Sequence, residues 1–271
     1  MPNFFRRNRF KKSKNPNKSI KINSIFYNPY KTTPNREWEK DLISINKNEN
    51  KMITDLNEFK KILDSDVNKK IRYIQFTCID PGTVKLAFRV ERRYYNDSGL
   101  LFVKECVYEM FNPKIFAEKN SMTHSDAVRK FLKSYSKLIS KSHFLLVEET
   151  FKTNRTVNRI CQCIIDFYCD VAESSPNFPY VVEVDDKLKG MELQVPRGKD
   201  KDDWAPERAI EILKSHGNLH SATVIPTLSK ARGKTDLSDI VNIIEAFVCW
   251  KKYKCINTPR IQQIISFNKT E

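Results

Sequence analysis

No stretch of about 18 apolar residues occurs anywhere in the 271-residue chain, so nothing in it is expected to span a membrane as a helix. No apolar run follows the early positive charges either, which argues against a secretory signal. The seven cysteines are odd in number and none forms a CxxC pair. That spacing fits neither a disulfide framework nor a cysteine-based zinc site. Cys161, Cys163 and Cys169 fall in a helical pattern and read as small buried thiols. A reducing, intracellular setting is the expectation. His216 and His220 have helical ligand spacing, but Gly217 sits between them and no cysteine is close, which argues against zinc. No internal repeat is visible.

Acidic residues are absent before Glu37, while Lys and Arg are frequent there. The segment is rich in Asn, Pro and Ser and has little apolar periodicity. Residues 1–70 therefore read as a basic, largely disordered extension, with one short helix over Asp55–Asp66. Three uses stay open for the arm: a DNA contact, a localisation patch in "RRNRFKKSK", or a solvated tail. The whole chain carries a formal net charge of +15, which favours polyanionic partners, nucleic acid first. With hydrophobic content at 40%, a sizeable core can form.

Regular patterning begins near Ile71, and residues 71–271 read as one domain. "IRYIQFTCID", "VKLAFRVERRYY" and "LLFVKECVYEMF" are strand-like, with "NDSG" as a hairpin turn between the last two. Ser121–Ser140 repeats Val128, Phe131, Leu132, Tyr135, Leu138 and Ile139 at helical spacing. "HFLLVEET" is a short buried strand, "RTVNRICQCIIDFYCDVAE" a helix and "PYVVEV" a fifth strand. "WAPERAIEILKSHG" and "TDLSDIVNIIEAFVCWKKY" complete the series as helices, with Thr235 as candidate N-cap of the last. The order predicts an α/β fold: a mixed sheet, made of a three-strand antiparallel meander plus two further strands, flanked by helices.

Acids fall at the ends of these elements. Asp80 closes the first strand, Glu148 and Glu149 close the fourth, and Asp236 and Asp239 stand three apart in the first turn of the last helix. Acids at a helix start are also ordinary, because the helix dipole favours them there. If the first and fourth strands are neighbours, however, Asp80 and Glu148 share a sheet edge. A final helix packed against that edge adds Asp236 and Asp239. Carboxylates so close repel one another unless cations neutralise them. Hard divalent ions suit oxygen ligands, and two of them suit phosphodiester hydrolysis.

These stretches resemble a known family. "CIDPGTVKLAFRV", "LLVEET", "VVEVDDKLKG" and "KTDLSDIVNIIEAF" resemble, in order, the motifs of RuvC-type Holliday junction resolvases, in the ribonuclease H-like superfamily. The similarity is greatest to the branch found in poxviruses, other large DNA viruses and fungal mitochondria. It covers about Ile71 to Lys254. Lys85 departs from it, standing where the family often has Asn, and Glu149-Thr150 replaces a frequent Gln pair. The resemblance implies a homodimer that resolves four-way DNA junctions by paired symmetric nicks. It also implies a place in viral genome processing or recombination, at a viral replication site, or else in mitochondrion or nucleus. Asp80, Glu148, Asp236 and Asp239 would hold two Mg²⁺ ions, with Mn²⁺ as a substitute. The nucleophile would be water, so no Ser or Cys nucleophile is needed.

Lys187, Lys189, Arg197, Lys199, Lys201 and Lys234 are expected to hold the DNA backbone, though each could equally sit on a solvated loop. Arg155 and Arg159 could contact the phosphates or a partner subunit. Phe151 could stack on a base or cover the core. The stripe Ile160, Ile164, Ile165 and Tyr168 serves equally as dimer interface or intramolecular core. A ribonuclease H, another structure-specific nuclease, and a non-catalytic DNA-binding protein of the same fold are the alternative functions.

Overall fold

Alternation in the strand segments sets two buried faces, and the chain covers both with helices. The computed structural model describes residues 72–96, 99–149, 154–175 and 179–257. The basic arm, the helix expected over Asp55–Asp66 and Phe151 lie outside these residues. Five strands form one sheet: β1 (Arg72–Asp80), β2 (Leu86–Asn96), β3 (Gly99–Phe111), β4 (Phe144–Glu148) and β5 (Tyr180–Val184), in the order β3-β2-β1-β4-β5. The first three run antiparallel; β4 pairs parallel with both β1 and β5. The mixed sheet expected from the sequence is present, with β1 and β4 adjacent. All five residues of β4 are buried, as befits a central strand covered on both sides.

The helices are α1 (Pro113–Lys119), α2 (His124–Ser134), α3 (Ser136–Ile139), α4 (Arg155–Ser174), α5 (Lys187–Glu192), α6 (Lys201–Ser215), α7 (Leu219–Thr227) and α8 (Lys234–Asn257). One face of the sheet, carrying Phe76, Cys78, Phe144 and Leu146, packs on α6, α7 and α8. The opposite face, carrying Ile79, Phe88, Leu145 and Val147, packs on α2 and α4. Ile160, Ile164 and Tyr168 are fully buried in that second core. Three of the four stripe residues on α4 thus belong to the fold itself and are not available as a dimer face; Ile165 is half-buried.

Two helix starts differ from expectation. The third expected helix begins three residues before Trp204, at Lys201, because Asp200 caps it by accepting from the Asp202 N–H. The last begins at Lys234 rather than behind a Thr235 cap. Gly233 takes φ 90° and its carbonyl accepts the Leu237 N–H, so Thr235 sits in the first turn. A side chain at Gly233 would put Cβ 2.4 Å from Met110 Cε, so no larger residue fits there undisturbed.

Beneath α8, β2 buries charge. Arg89 and Arg93 each donate to Glu91 at 2.8 Å. Arg93 also reaches Glu245 on α8 at 2.8 Å, and Arg89 pairs with Glu105 on β3. Each guanidinium thus has a carboxylate on its own strand and another across the core. Buried charge is tolerable only with such pairing. His216 lies 3.7 Å from Glu245, but burial pushes its pKa down to about 4, so at neutral pH this contact is not an ion pair.

Candidate active site

The register of β1 and β4 builds the site. Ile79 pairs with Val147, so the next residues, Asp80 and Glu148, leave the sheet side by side. Strand alternation puts both on the face of Phe76, Cys78, Phe144 and Leu146, toward α8. Asp239 approaches from the first turns of α8. Carboxylate oxygens of Asp80, Glu148 and Asp239 lie within 4.8 Å of one another. Glu149, one step later, is exposed; its N–H continues the ladder to the Val184 carbonyl at 2.9 Å. The strand's period of two therefore selects Glu148 over Glu149.

Asp236 is outside this group of three. Its carboxylate pairs with Lys85 at 2.9 Å, and Lys85 also donates to the Lys230 carbonyl at 3.2 Å. Lys85 is held by the Pro81-Gly82 turn that follows Asp80. A Cβ on Gly82 would lie 1.9 Å from the Lys85 carbonyl oxygen, so the turn needs a residue without one. The tight turn after Asp80 thus carries a lysine back beside Asp236.

A second lysine enters from α5. Lys189 is nearly buried, with its ammonium 2.7 Å from Glu148 and 3.0 Å from Asp239. Burial disfavours its charge, but Glu148 and Asp239 more than offset this and hold its pKa above the ordinary value. The acids respond to one another. Burial, then Glu148, Asp239 and Asp236, raise the Asp80 carboxyl well above the usual carboxylate range. Burial pushes Asp239 up to about 6; Lys189 works against it, while Glu148 and Asp236 add to it. Such a set still lacks positive charge. Its donors are hard carboxylate oxygens within bridging reach of one ion, which fits Mg²⁺ or Mn²⁺.

The acids floor a cleft of about 460 Å³, with Asn154, Asp186, Lys201, Trp204 and Thr235 in its walls. Lys201 is thus a cleft residue at the start of α6, not part of the loop before it. Arg155 and Arg159 are exposed on the first turns of α4, Arg197 is exposed, and Lys234 is half-buried at the start of α8. Lys187 is exposed 3.7 Å from Asp185, and Lys199 pairs with Glu207. Lys189 lies on α5, nearly buried and paired with Glu148 and Asp239, rather than on a solvated loop. Sequence reading misses its place because α5 is too short to show a helical period; the flanking buried Leu188 and Leu193 are the signal for it.

Comparison with known proteins yields matches in structure alone. No family model and no curated protein matches the chain. Thermus thermophilus RuvC in complex with Holliday junction substrate is similar at 12% identity and TM-score 0.45, over 67% of this chain and 97% of that one. A second structure of Thermus thermophilus RuvC gives 15% identity and TM-score 0.45, over 66% and 96%. Fowlpox virus resolvase with its substrate Holliday junction DNA gives 10% and 0.42, over 65% and 97%. The fold in this chain is an α/β one: an antiparallel meander extended by two parallel strands, with acids at the ends of β1 and β4. Among the described residues no helix is long and apolar enough to cross a membrane.

Proposed function

We propose that this chain is a divalent-metal-dependent DNA endonuclease that resolves four-way junctions. The observation that carries the reading is the convergence of Asp80, Glu148 and Asp239 from two adjacent strands and the last helix. Rigid elements hold all three, as a reaction centre requires. A bound divalent cation would supply the positive charge that offsets charge on the phosphate as its ester bond breaks. Asp80, Glu148 and Asp239 would hold it. Lys189 relieves repulsion between Glu148 and Asp239, and its ammonium is a donor for a phosphate oxygen at the cleft floor.

Four-way junction DNA, the substrate in two of the similar structures, is the substrate we assign. Its support in this chain is the run of four motifs in order and the exposed Arg155, Arg159, Arg197 and Lys201, the last of which lines the acid cleft. Paired nicks need two equivalent sites, and a twofold homodimer supplies them. Incubation with a synthetic four-way junction beside duplex, flap and RNA–DNA hybrid tests the assignment. Symmetric nicking of the junction in Mg²⁺ or Mn²⁺ is the expected result. Preferred cutting of the hybrid would make it a ribonuclease H instead. Binding without cutting in any divalent metal, or full cutting in excess EDTA, would refute the metal-dependent nuclease.

A further inference from the structure

We propose that Lys85 takes the place of a second metal ion, so that the site binds one divalent cation per chain. The proposal rests on the metal-dependent reading above and differs from the two-ion site expected from the sequence. Three acids meet within ligand distance of one another, and the fourth, Asp236, does not join them. Its Oδ2 is already 2.9 Å from the Lys85 ammonium.

That ammonium is held from two sides. It pairs with Asp236, and its Nζ donates to the Lys230 carbonyl in the turn ahead of α8. Lys85 therefore ties the turn after β1 to the start of α8, which bridging ions otherwise do in a four-acid site. A second divalent ion on Asp236 would have to share its carboxylate with a fixed like charge. The remaining balance points the same way. Metal binding requires its carboxylate ligands ionised; four ionised carboxylates, with Lys85 and Lys189 paired to them, leave two negative charges, which one divalent cation neutralises. Lys189 sits on the Glu148–Asp239 side, and among the described ion pairs Asp80 has none, so the open side faces Asp80. Glu149, Asp186, Asp202 and Lys201 also line the cleft, but none belongs to the group of three.

The test counts ions directly. The full chain is titrated with Mn²⁺ in the absence of DNA, and free Mn²⁺ is followed by electron paramagnetic resonance. One ion per chain is expected for the unsubstituted protein. Lys85→Asn removes the charge and should add a second ion, while Lys85→Arg keeps the charge and should stay at one. Lys85 is partly exposed, so neither change empties the core. Asp236→Asn should still bind one ion, whereas Asp239→Asn should weaken that ion at least about tenfold. Two ions on the unsubstituted chain, or one ion on Lys85→Asn, would overturn the proposal and leave the metal-dependent reading standing. No ion on the unsubstituted chain would overturn both.

Discussion

Glu91→Gln should cost the fold about 3 kcal/mol at neutral pH and almost nothing near about pH 2. Glu91 is buried between Arg89 and Arg93, 2.8 Å from each. Burial alone would raise its pKa; Arg93 and Arg89 outweigh that and hold it at about 2, against 4.5 for an ordinary glutamate. At about 1.4 kcal/mol per unit, that gap amounts to about 3 kcal/mol. The folded value lies below the unfolded one, so the contribution is complete above about pH 4.5 and is lost as pH falls toward about 2. Breaking a buried pair costs about 3–5 kcal/mol. Here the lower end applies, because Arg89 keeps Glu105 and Arg93 keeps Glu245. Urea unfolding of both proteins, followed by circular dichroism from about pH 7 to about pH 3, gives the difference directly. It should hold near about 3 kcal/mol down to about pH 5 and shrink to roughly half by about pH 3. His143 and His216, both held near 4 mainly by burial, also shed stability below about pH 6.5. His143 does so equally in both proteins and cancels in the difference, whereas His216, whose pKa Glu91 helps to raise, cancels only in part. A gap below about 1 kcal/mol at neutral pH, or one that stays constant with pH, would show that the arginines do not depend on Glu91.

Three further outcomes are expected. Glu148→Gln should cut junction nicking at least about a hundredfold while Glu149→Gln changes it less than about fivefold; equal losses would mean that strand alternation does not select the ligand. Gly82→Ala should destabilise by about 1–3 kcal/mol and lower nicking by about a hundredfold, because its Cβ meets backbone at 1.9 Å and displaces the turn behind Asp80; unchanged stability and rate would show that the turn relaxes freely. Deleting residues 1–36 should weaken binding to all DNA shapes alike and flatten the salt dependence by roughly 0.9 in log–log slope for each phosphate the arm neutralises; an unchanged slope would rule out the arm as a DNA-binding element.

Period and punctuation make most of the sheet legible in the sequence. A two-residue period over Arg72–Asp80 and Leu86–Phe111 and a run of five buried residues in β4 are signals of backbone geometry, so they survive in the order of residue types. The three-acid cluster is legible for the same reason, because each acid sits at an element end. What is not legible depends on distance through space. Alternation marks Arg89, Glu91 and Arg93 as one face of a strand but cannot tell that the face is buried, since its counter-charges come from Glu105 and Glu245. Lys189 carries the same ambiguity: a lysine after a strand looks solvated until two acids from β4 and α8 are found around it. The helix start expected at Thr235 falls to Gly233 because a left-handed residue can end one turn and start the next helix, a choice set by φ rather than by side-chain oxygen.

Asp80, Glu148 and Asp239 are drawn from near the start, middle and end of the described residues, 72–257. A ribosome making this chain has therefore delivered two of the three acids long before the third. Until α8 has emerged and packed on β1, the nascent protein has no complete centre, however well its early strands have formed. The proposed nuclease competence would thereby be tied to the last step of assembly. A chain broken off before Lys234 would be inert rather than a loosely controlled cutter of DNA.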